Sequence, residues 1–134
     1  DNPLVSPRIA RRALETHRET AADYTALTGG PLGTGVEVLG ARALLEAAKE
    51  AGDPYEREHV SPFLYRRPDR FRVVIREVPT AWLLPAARVT LDTQQDYEAL
   101  QCTFEALYAG SPIDIETLVS HLSRQEQRSR RNSA

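Results

Sequence analysis

The chain has 134 residues, of which 41% are hydrophobic and 27% charged, a composition typical of one folded globular domain or a piece of one, and unlike a fibrous or disordered protein. The formal net charge is -2, and the last twelve residues hold four Arg against one Glu. Residues 1–122 are therefore more acidic than the chain as a whole, and nucleic acid is not expected as a partner. No apolar run approaches the roughly 20 residues that cross a bilayer, so no membrane association is expected. The single Cys102 cannot form an internal disulfide, which favours a cytoplasmic location.

The first third of the chain predicts a helix, a short strand and a loop. The segment PRIARRALETH has helical spacing that places Ile9 and Leu14 on one face, with Ser6 as a candidate cap and Pro7 at the first helical position. Aromatic and β-branched residues predict a strand near residues 23–28. The following run GGPLGTG predicts a loop because it is rich in glycine.

The middle of the chain predicts strands and helices in alternation. VEVL favours a strand, and ARALLEAAKEA favours a helix that stops at Gly52. A second helix is expected within YEREHVSPFLYRR, where Pro62 requires a start or a bend. FRVVIR and ARVTL alternate apolar and polar residues as half-exposed strands do, and the second runs directly into Asp92.

The last third predicts two amphipathic helices and a tail. Apolar residues recur at intervals of three and four over residues 94–108, and again after Asp114, a candidate cap. Residues 123–134 are expected to form a disordered basic tail. Because strands alternate with helices, the predicted class is α/β with a mostly parallel sheet and flanking helices.

Two aspartates are candidates for a metal site. In open α/β sheets, ligands bind beyond the carboxyl ends of the strands; Asp92 has that position, and Asp1 has it too if a strand precedes it. Two carboxylates about 4 Å apart repel by roughly 4 kcal/mol at an effective dielectric of 20, and a divalent cation reverses that cost. Mg²⁺ is the expected ion because it binds one or two carboxylates together with phosphate and water. A helix cap or an Asx turn at Asp92 is the alternative that spacing alone leaves open.

Four segments carry a resemblance to a known family. They are DNPLVSP, GTGVEVLGARALLEAAKEA, EREHVSPFLYRRPDRF and RVTLDTQQDYEAL. In order and interval they resemble motifs of the cytidylyltransferases of spore-coat polysaccharide biosynthesis, relatives of the CMP-KDO and CMP-sialate synthetases. The resemblance covers residues 1–122 and implies the C-terminal half of a Rossmann-like nucleotide-diphospho-sugar transferase domain. The family's Gly- and Arg-rich nucleotide-binding half would then precede Asp1, and residues 1–134 alone are expected to be inactive.

The resemblance implies an enzyme that transfers CMP from CTP to a sugar or sugar acid and releases pyrophosphate. Asp1 and Asp92 would be the catalytic residues that hold Mg²⁺. Glu37, Arg57 and His59 would lie beside the acceptor sugar, with Glu37 accepting hydroxyl groups and the two basic residues facing a carboxylate or phosphate. The alternatives are an exposed strand residue for Glu37 and an ordinary helix histidine for His59.

Arg88 is a further candidate for substrate binding. It lies two strand positions from Thr90 on the same face, from which it could reach the anionic site, although an ordinary surface arginine would look the same. The sequence departs from the family pattern at Gln94 and Gln95, where the family has Pro-Glu, but it keeps Asp92.

A homodimer is also implied, because family relatives pair through the region corresponding to residues 59–80, where FRVVIR offers an exposed edge. Two other classes of function stay open. One is a non-catalytic interaction module that kept the fold, and the other is a nucleotide-sugar glycosyltransferase that uses its aspartates to hold a nucleotide diphosphate.

Overall fold

The computed structural model describes residues 1–132, without the side chains at positions 129 and 132. Its elements are α1 (Pro7–Thr20), β1 (Tyr24–Thr28), β2 (Glu37–Leu39), α2 (Ala41–Glu50), α3 (Pro54–Glu58), α4 (Pro62–Tyr65), β3 (Val73–Glu77), a 3-10 helix (Thr80–Trp82), α5 (Gln94–Leu107) and α6 (Ile115–Asn132). The chain forms two compact units, which we name by content. The sheet unit comprises Ala10–Leu27 and Val36–Arg76, and the helix unit comprises Asp1–Ile9, Thr28–Gly35 and the residues from Glu77 onward.

Three strands form a sheet in the order β2-β1-β3. β2 pairs antiparallel with β1, with Tyr24 opposite Leu39. The eight residues 29–36 that join these strands are too few for the dozen or more that a parallel return requires, so the chain turns back on itself. The predicted α/β class is confirmed, but the expected parallel pairing is wrong for β2.

β3 lies on the other side of β1 and runs in the same direction. Main-chain hydrogen bonds join Asp23 to Arg72 before the two strands and Thr28 to Val78 at their ends, so both contacts advance together along the chain. Three helices, α2 to α4, separate β1 and β2 from β3 in sequence and provide the length that a parallel return needs. The described sheet is therefore mixed rather than mostly parallel.

The core of the sheet unit is built from small residues on α2 and aromatic residues elsewhere. Its buried members are Tyr24, Ala43, Ala47, Ala51, Phe63, Leu64 and Phe71. The alanines recur every four residues, so α2 presents one flat face that neighbouring elements can approach closely. Phe63 and Phe71 meet edge to face with ring centres 5.9 Å apart. The expected break at Pro62 is confirmed, since α4 begins there.

An ion pair between a buried glutamate and a partly exposed arginine fixes the helices that precede β3. Glu56 on α3 is only 6% exposed at its side chain and accepts two hydrogen bonds from Arg67, at 2.7 and 3.2 Å. Arg67 also donates to the Phe63 carbonyl at 2.9 Å, and its guanidinium lies 4.0 Å from the centre of the Phe63 ring. Because two donors satisfy the carboxylate, its burial is sustainable.

The helix unit is organised around the single tryptophan. Trp82 is buried and donates its indole N–H to Glu116 at 3.1 Å. Arg8 covers the ring at 4.9 Å from its centre and donates to Asp114 and Glu116 at 2.9 and 2.8 Å. These contacts tie the start of α1 to the start of α6, and Ser6 caps α1 by accepting the N–H of Ile9 at 3.3 Å, as predicted.

Two segments of the helix unit differ from their sequence-based predictions. ARVTL is not a regular strand, because within residues 1–132 its ladder pairing is limited to one parallel bridge between Arg88 and Leu32. α6 continues through residues 123–132, where a disordered tail was expected. That stretch contains no Gly or Pro and is rich in Arg, Gln and Glu, which are strong helix formers. Residues 133 and 134 of the predicted tail lie outside the described residues.

α5 is the predicted amphipathic helix, but much of its apolar face is in contact with solvent. Tyr97, Phe104 and Tyr108 are 52%, 39% and 51% exposed, whereas Thr103 is buried. Cys102 on the same helix is exposed and unpaired. Across residues 1–132, no helix has both the length and the hydropathy of a membrane span.

Candidate functional site

The start of α5 is built by a capping box that does not use Asp92. Thr93 is the N-cap and its hydroxyl accepts the N–H of Asp96 at 3.2 Å. The Asp96 carboxylate accepts the N–H groups of Thr93 and Asp92 at 2.8 and 3.0 Å. The helix-cap alternative for Asp92 is therefore wrong, and its carboxylate is left for other partners. The pattern TQQD, a Thr followed three residues later by an acid, is the sequence signal for this cap.

The same geometry perturbs Asp96. The hydrogen bond from the Asp92 N–H is the main cause that holds the pKa of Asp96 below its usual range, and the hydroxyl and N–H of Thr93 and the charge of Arg88 act in the same direction. Asp96 is therefore a permanent anion at neutral pH, placed one helical turn from Asp92.

Arg88, Thr90 and Asp92 form a closed network. Arg88 Nη2 donates to Asp92 Oδ2 at 2.6 Å and to Asp96 Oδ2 at 3.1 Å. Arg88 Nε donates to the Thr90 hydroxyl at 2.6 Å, and that hydroxyl donates to Asp92 Oδ2 at 2.9 Å. The predicted common face of Arg88 and Thr90 is confirmed by this contact. The side chains of Arg88 and Asp92 are 47% and 57% exposed, so the network is accessible to a ligand from solvent.

The backbone brings Asp1 beside this network. The N–H of Leu91 donates to the carbonyl of Asp1 at 2.7 Å, so Asp1 pairs with the residue that immediately precedes Asp92. The two aspartates therefore depart from neighbouring points of the main chain, although they are separated by ninety residues in sequence. The shared metal that was predicted for them stays a prediction.

A glycine makes this arrangement possible. Gly33 has φ +97°, and a Cβ there would lie 3.0 Å from Thr90 Cγ2 and 3.1 Å from the main-chain atoms Thr90 N and Val89 C. The adjacent Leu32 exchanges main-chain hydrogen bonds with Ala87 and Val89, at 2.9 and 2.8 Å. The glycine loop therefore packs directly against the segment that presents Asp92, a role that sequence analysis missed.

The oxygen donors fit a magnesium ion better than a transition metal. Within residues 1–132, no set of three or more His, Cys, Asp or Glu side chains is arranged around a common metal position. Mg²⁺ does not require such a set, because it retains several waters and is held by one or two carboxylates plus substrate phosphates. The carboxylate of Asp92 and the nearby Asp1 are donors of that kind.

The sheet unit holds the other predicted site residues. Glu37 is the first residue of β2, lies opposite Ala26 and is exposed, in line with the alternative of an exposed strand residue. Its carboxylate also accepts a hydrogen bond from the hydroxyl of Tyr24 at 2.6 Å. Tyr24 is only 3% exposed, and burial together with the Glu37 carboxylate raises the pKa of its phenol. The phenol therefore stays protonated and donates to Glu37.

Aromatic contacts extend from this pair towards His59. Tyr65 lies 5.7 Å from Tyr24 between ring centres, and the pKa of Tyr65 is raised by burial and then by its neighbour Tyr55. The ring of Tyr55 packs 4.5 Å from the ring of His59, which ends α3. Glu37 and His59 are thus the two ends of a row of three tyrosines.

Arg57 is not part of that row. Its guanidinium donates to the Ala51 carbonyl at 2.8 Å, and the residue lines a cavity of about 220 Å³ with Leu44 and Val60. Of the three predicted sugar-site residues, the structure therefore links Glu37 with His59 through the tyrosines and gives Arg57 a separate main-chain partner.

Comparison with known proteins identifies the family of the chain. A protein-family model described as cytidylyltransferase matches residues 1–130. The spore coat polysaccharide biosynthesis protein SpsF of Bacillus subtilis is 29% identical over 125 residues, which cover 92% of this chain and 52% of that protein. The uncharacterized protein MJ1063 of Methanocaldococcus jannaschii is 32% identical over 130 residues, which cover 95% of this chain and 52% of that protein.

A solved structure has the same fold. The structure of a cytidylyltransferase from Leptospira borgpetersenii serovar Hardjo-bovis superimposes with a TM-score of 0.80 at 20% identity, over 95% of this chain and 54% of that one. At this identity the likeness shows the fold alone. The chain spans about half the length of the curated relatives that it matches.

Proposed function

Because this chain belongs to the cytidylyltransferase family, we propose that the complete polypeptide transfers CMP from CTP to a sugar or sugar acid and releases pyrophosphate. The observation that carries the proposal is the Asp92 carboxylate, which the Thr93–Asp96 capping box leaves available beside the main chain of Asp1. The name of the Bacillus relative supports a place in polysaccharide or glycan biosynthesis. The relatives are about twice as long as this chain, and the family resemblance implies that the additional half binds the nucleotide and completes a Rossmann-like sheet.

Asp92 and Asp1 are proposed to hold Mg²⁺. When bound, this ion would neutralise charge on the triphosphate and polarise the phosphoryl oxygens. The chain's own contribution is positional. The Thr90 hydroxyl orients Asp92 from one side, and the capping box fixes the main chain of Asp92 from the other. Nucleotidyl transfer depends mainly on such positioning and on charge neutralisation, so no nucleophilic side chain is required.

Glu37 and His59 are proposed to bind the acceptor sugar at the row of tyrosines. The Tyr24 hydroxyl orients the Glu37 carboxylate, which would accept hydrogen bonds from sugar hydroxyls. The aromatic face of Tyr55 beside His59 offers an apolar surface for the sugar ring. Arg57 would reach an anionic group of the substrate after releasing the Ala51 carbonyl.

A homodimer through residues 59–80 is also proposed. β3 is an edge strand of the described sheet, and Ile75 on it is 56% exposed, which is the kind of edge that a second copy can pair with. Measuring the molar mass of the complete polypeptide by light scattering tests this, and a mass of one chain at micromolar concentration would refute it.

The enzymatic proposal is tested by pyrophosphate release from the complete polypeptide with CTP, Mg²⁺ and a panel of sugar acids. Asp92→Asn should lower turnover by at least about 100-fold, since even partners of metal ligands contribute about 10–100-fold. Glu98→Gln, which removes one carboxylate from α5 without touching this network, should retain turnover. Wild-type turnover in Asp92→Asn, or no pyrophosphate release with any acceptor from the folded protein, would refute the proposal.

A further inference from the structure

The shortest hydrogen bond described for the Asp92 carboxylate comes from a cation of the chain itself. Arg88 Nη2 lies 2.6 Å from Asp92 Oδ2 and shares the same nitrogen with Asp96 Oδ2 at 3.1 Å. The Thr90 hydroxyl approaches the same oxygen of Asp92 at 2.9 Å. One carboxylate oxygen of the candidate metal ligand is therefore occupied by two donors.

A guanidinium and a divalent cation cannot both occupy this position. Mg²⁺ binds carboxylate oxygens at about 2.0–2.1 Å, and a second positive charge would be brought against Nη2 at very short range. Arg88 must move away from Asp92 Oδ2 before that oxygen can bind a metal. The pair with Asp96, which lies a helical turn away, gives the guanidinium a second anion to remain on.

On the basis of the proposed function, we infer that Arg88 is an exchangeable counter-ion that occupies Asp92 in the free protein and transfers to phosphate oxygens when metal and nucleotide enter. Arg88 then has two roles in sequence. It first pairs with the carboxylates of Asp92 and Asp96, offsetting one of their two negative charges, and it later binds the incoming triphosphate. Guanidinium suits both roles because its planar donors match carboxylate and phosphate oxygens alike.

This exchange couples the two ligands. Metal binding to the free protein works against the Arg88–Asp92 pair, whereas a bound triphosphate removes Arg88 from Asp92 and eases metal binding. By linkage, the metal must in turn favour the triphosphate by the same factor. The side chains of Arg88 and Asp92 are about half exposed, so solvent screens their attraction. Loss of this ion pair should therefore change metal affinity by about two- to five-fold.

The test is Mn²⁺ affinity of the complete polypeptide without nucleotide, measured by electron paramagnetic resonance of the free ion. Arg88→Gln should tighten binding about two- to five-fold, and Asp92→Asn should weaken it at least about ten-fold. Arg124→Gln removes an exposed arginine of α6 as a matched charge control and should leave affinity unchanged. Folding of each variant is checked by its unfolding transition.

The outcomes separate the inference from the proposed function. If Asp92→Asn weakens binding but Arg88→Gln leaves affinity as in the wild type, Arg88 is no counter-ion and the metal site stands. Equal tightening in Arg88→Gln and Arg124→Gln would reduce the effect to long-range charge and overturn the inference. No change in Asp92→Asn would remove the metal site itself, and the inference with it.

A second measurement follows Arg88 directly. In protein labelled with ¹⁵N-arginine, the Arg88 Nε signal, identified by its loss in Arg88→Gln, should shift during a Mg²⁺ titration, while the Arg124 signal should not. In protein that is also labelled with ¹³C-aspartate, an unmoved Arg88 signal at Mg²⁺ concentrations that shift the Asp92 carboxyl carbon would overturn the inference.

Discussion

Replacing Gly33 by alanine tests how the glycine loop supports the candidate site. An alanine at this position would have to keep φ +97°, a backbone conformation that costs an L-residue about 1–2 kcal/mol. Its Cβ would also lie 3.1 Å from main-chain atoms of Val89 and Thr90. Relieving such overpacking costs a further 1–3 kcal/mol, roughly. Together these terms predict a loss of about 2–5 kcal/mol in the free energy of unfolding, because main-chain atoms cannot move aside as a flexible side chain can.

Urea unfolding followed by Trp82 fluorescence measures this loss, since Trp82 is buried in the same unit as Gly33. Gly52→Ala is the matched control: a Cβ there has no atom within 4 Å, so this change should be neutral or stabilise by up to about 1 kcal/mol. If the two alanine variants agree within about 0.5 kcal/mol, the close approach of the loop to the Asp92 segment is not part of the folded structure.

Three other predictions concern stability, pH and substrate binding. Glu56→Ala removes the buried partner of the partly exposed Arg67 and should lower the free energy of unfolding in urea by about 1.5–3 kcal/mol, less than the roughly 3–5 kcal/mol expected for a fully buried pair. As a control, the exposed Glu58→Ala should change it by no more than about 0.5 kcal/mol. The pKa of Asp96 is lowered in the folded state, so its capping contribution to stability should be complete above about pH 4 and should disappear as the pH falls through the folded pKa. A difference in the free energy of unfolding between wild type and Asp96→Asn that grows on acidification would contradict this. Tyr24→Phe removes the donor to the β2 carboxylate and, on the proposed function, should raise KM for the sugar more than it lowers kcat, while the exposed Tyr97→Phe should change neither; equal kinetics in both variants would exclude an orienting role.

Features that depend on neighbours within one helical turn were predictable from the sequence. Ser6 and Pro7 predicted the start of α1, and the strong helix formers before Gly52 predicted α2. The cap of α5 was also predictable, because Thr93 and Asp96 stand at the spacing of a capping box. For Asp92, the spacing left a helix cap or an Asx turn as alternatives, and the capping box begins one residue after it.

Features that depend on distant partners were not predictable in the same way. An alternating segment such as ARVTL predicts a strand, but a ladder forms only where a second strand lies alongside, and here the described pairing is one bridge to Leu32 and one bond to Asp1. The antiparallel direction of β2 is set by the short connection from β1, and the residues of β2 themselves do not indicate it. The Arg88 network joins residues close in sequence, yet its geometry depends on a loop fifty-five positions away at Gly33.

The aromatic residues along α5 have a practical consequence. Tyr97, Phe104 and Tyr108 are each about 40–50% exposed at helical spacing, and the last two stack on each other. Exposed apolar surface of this kind is unfavourable in dilute buffer and becomes more so in strongly salting-out conditions such as ammonium sulfate. Purified alone, residues 1–132 should therefore bind hydrophobic dyes and be lost to precipitation early. Handling protocols that keep ionic strength low, or include a mild detergent, should preserve a monodisperse sample of this chain.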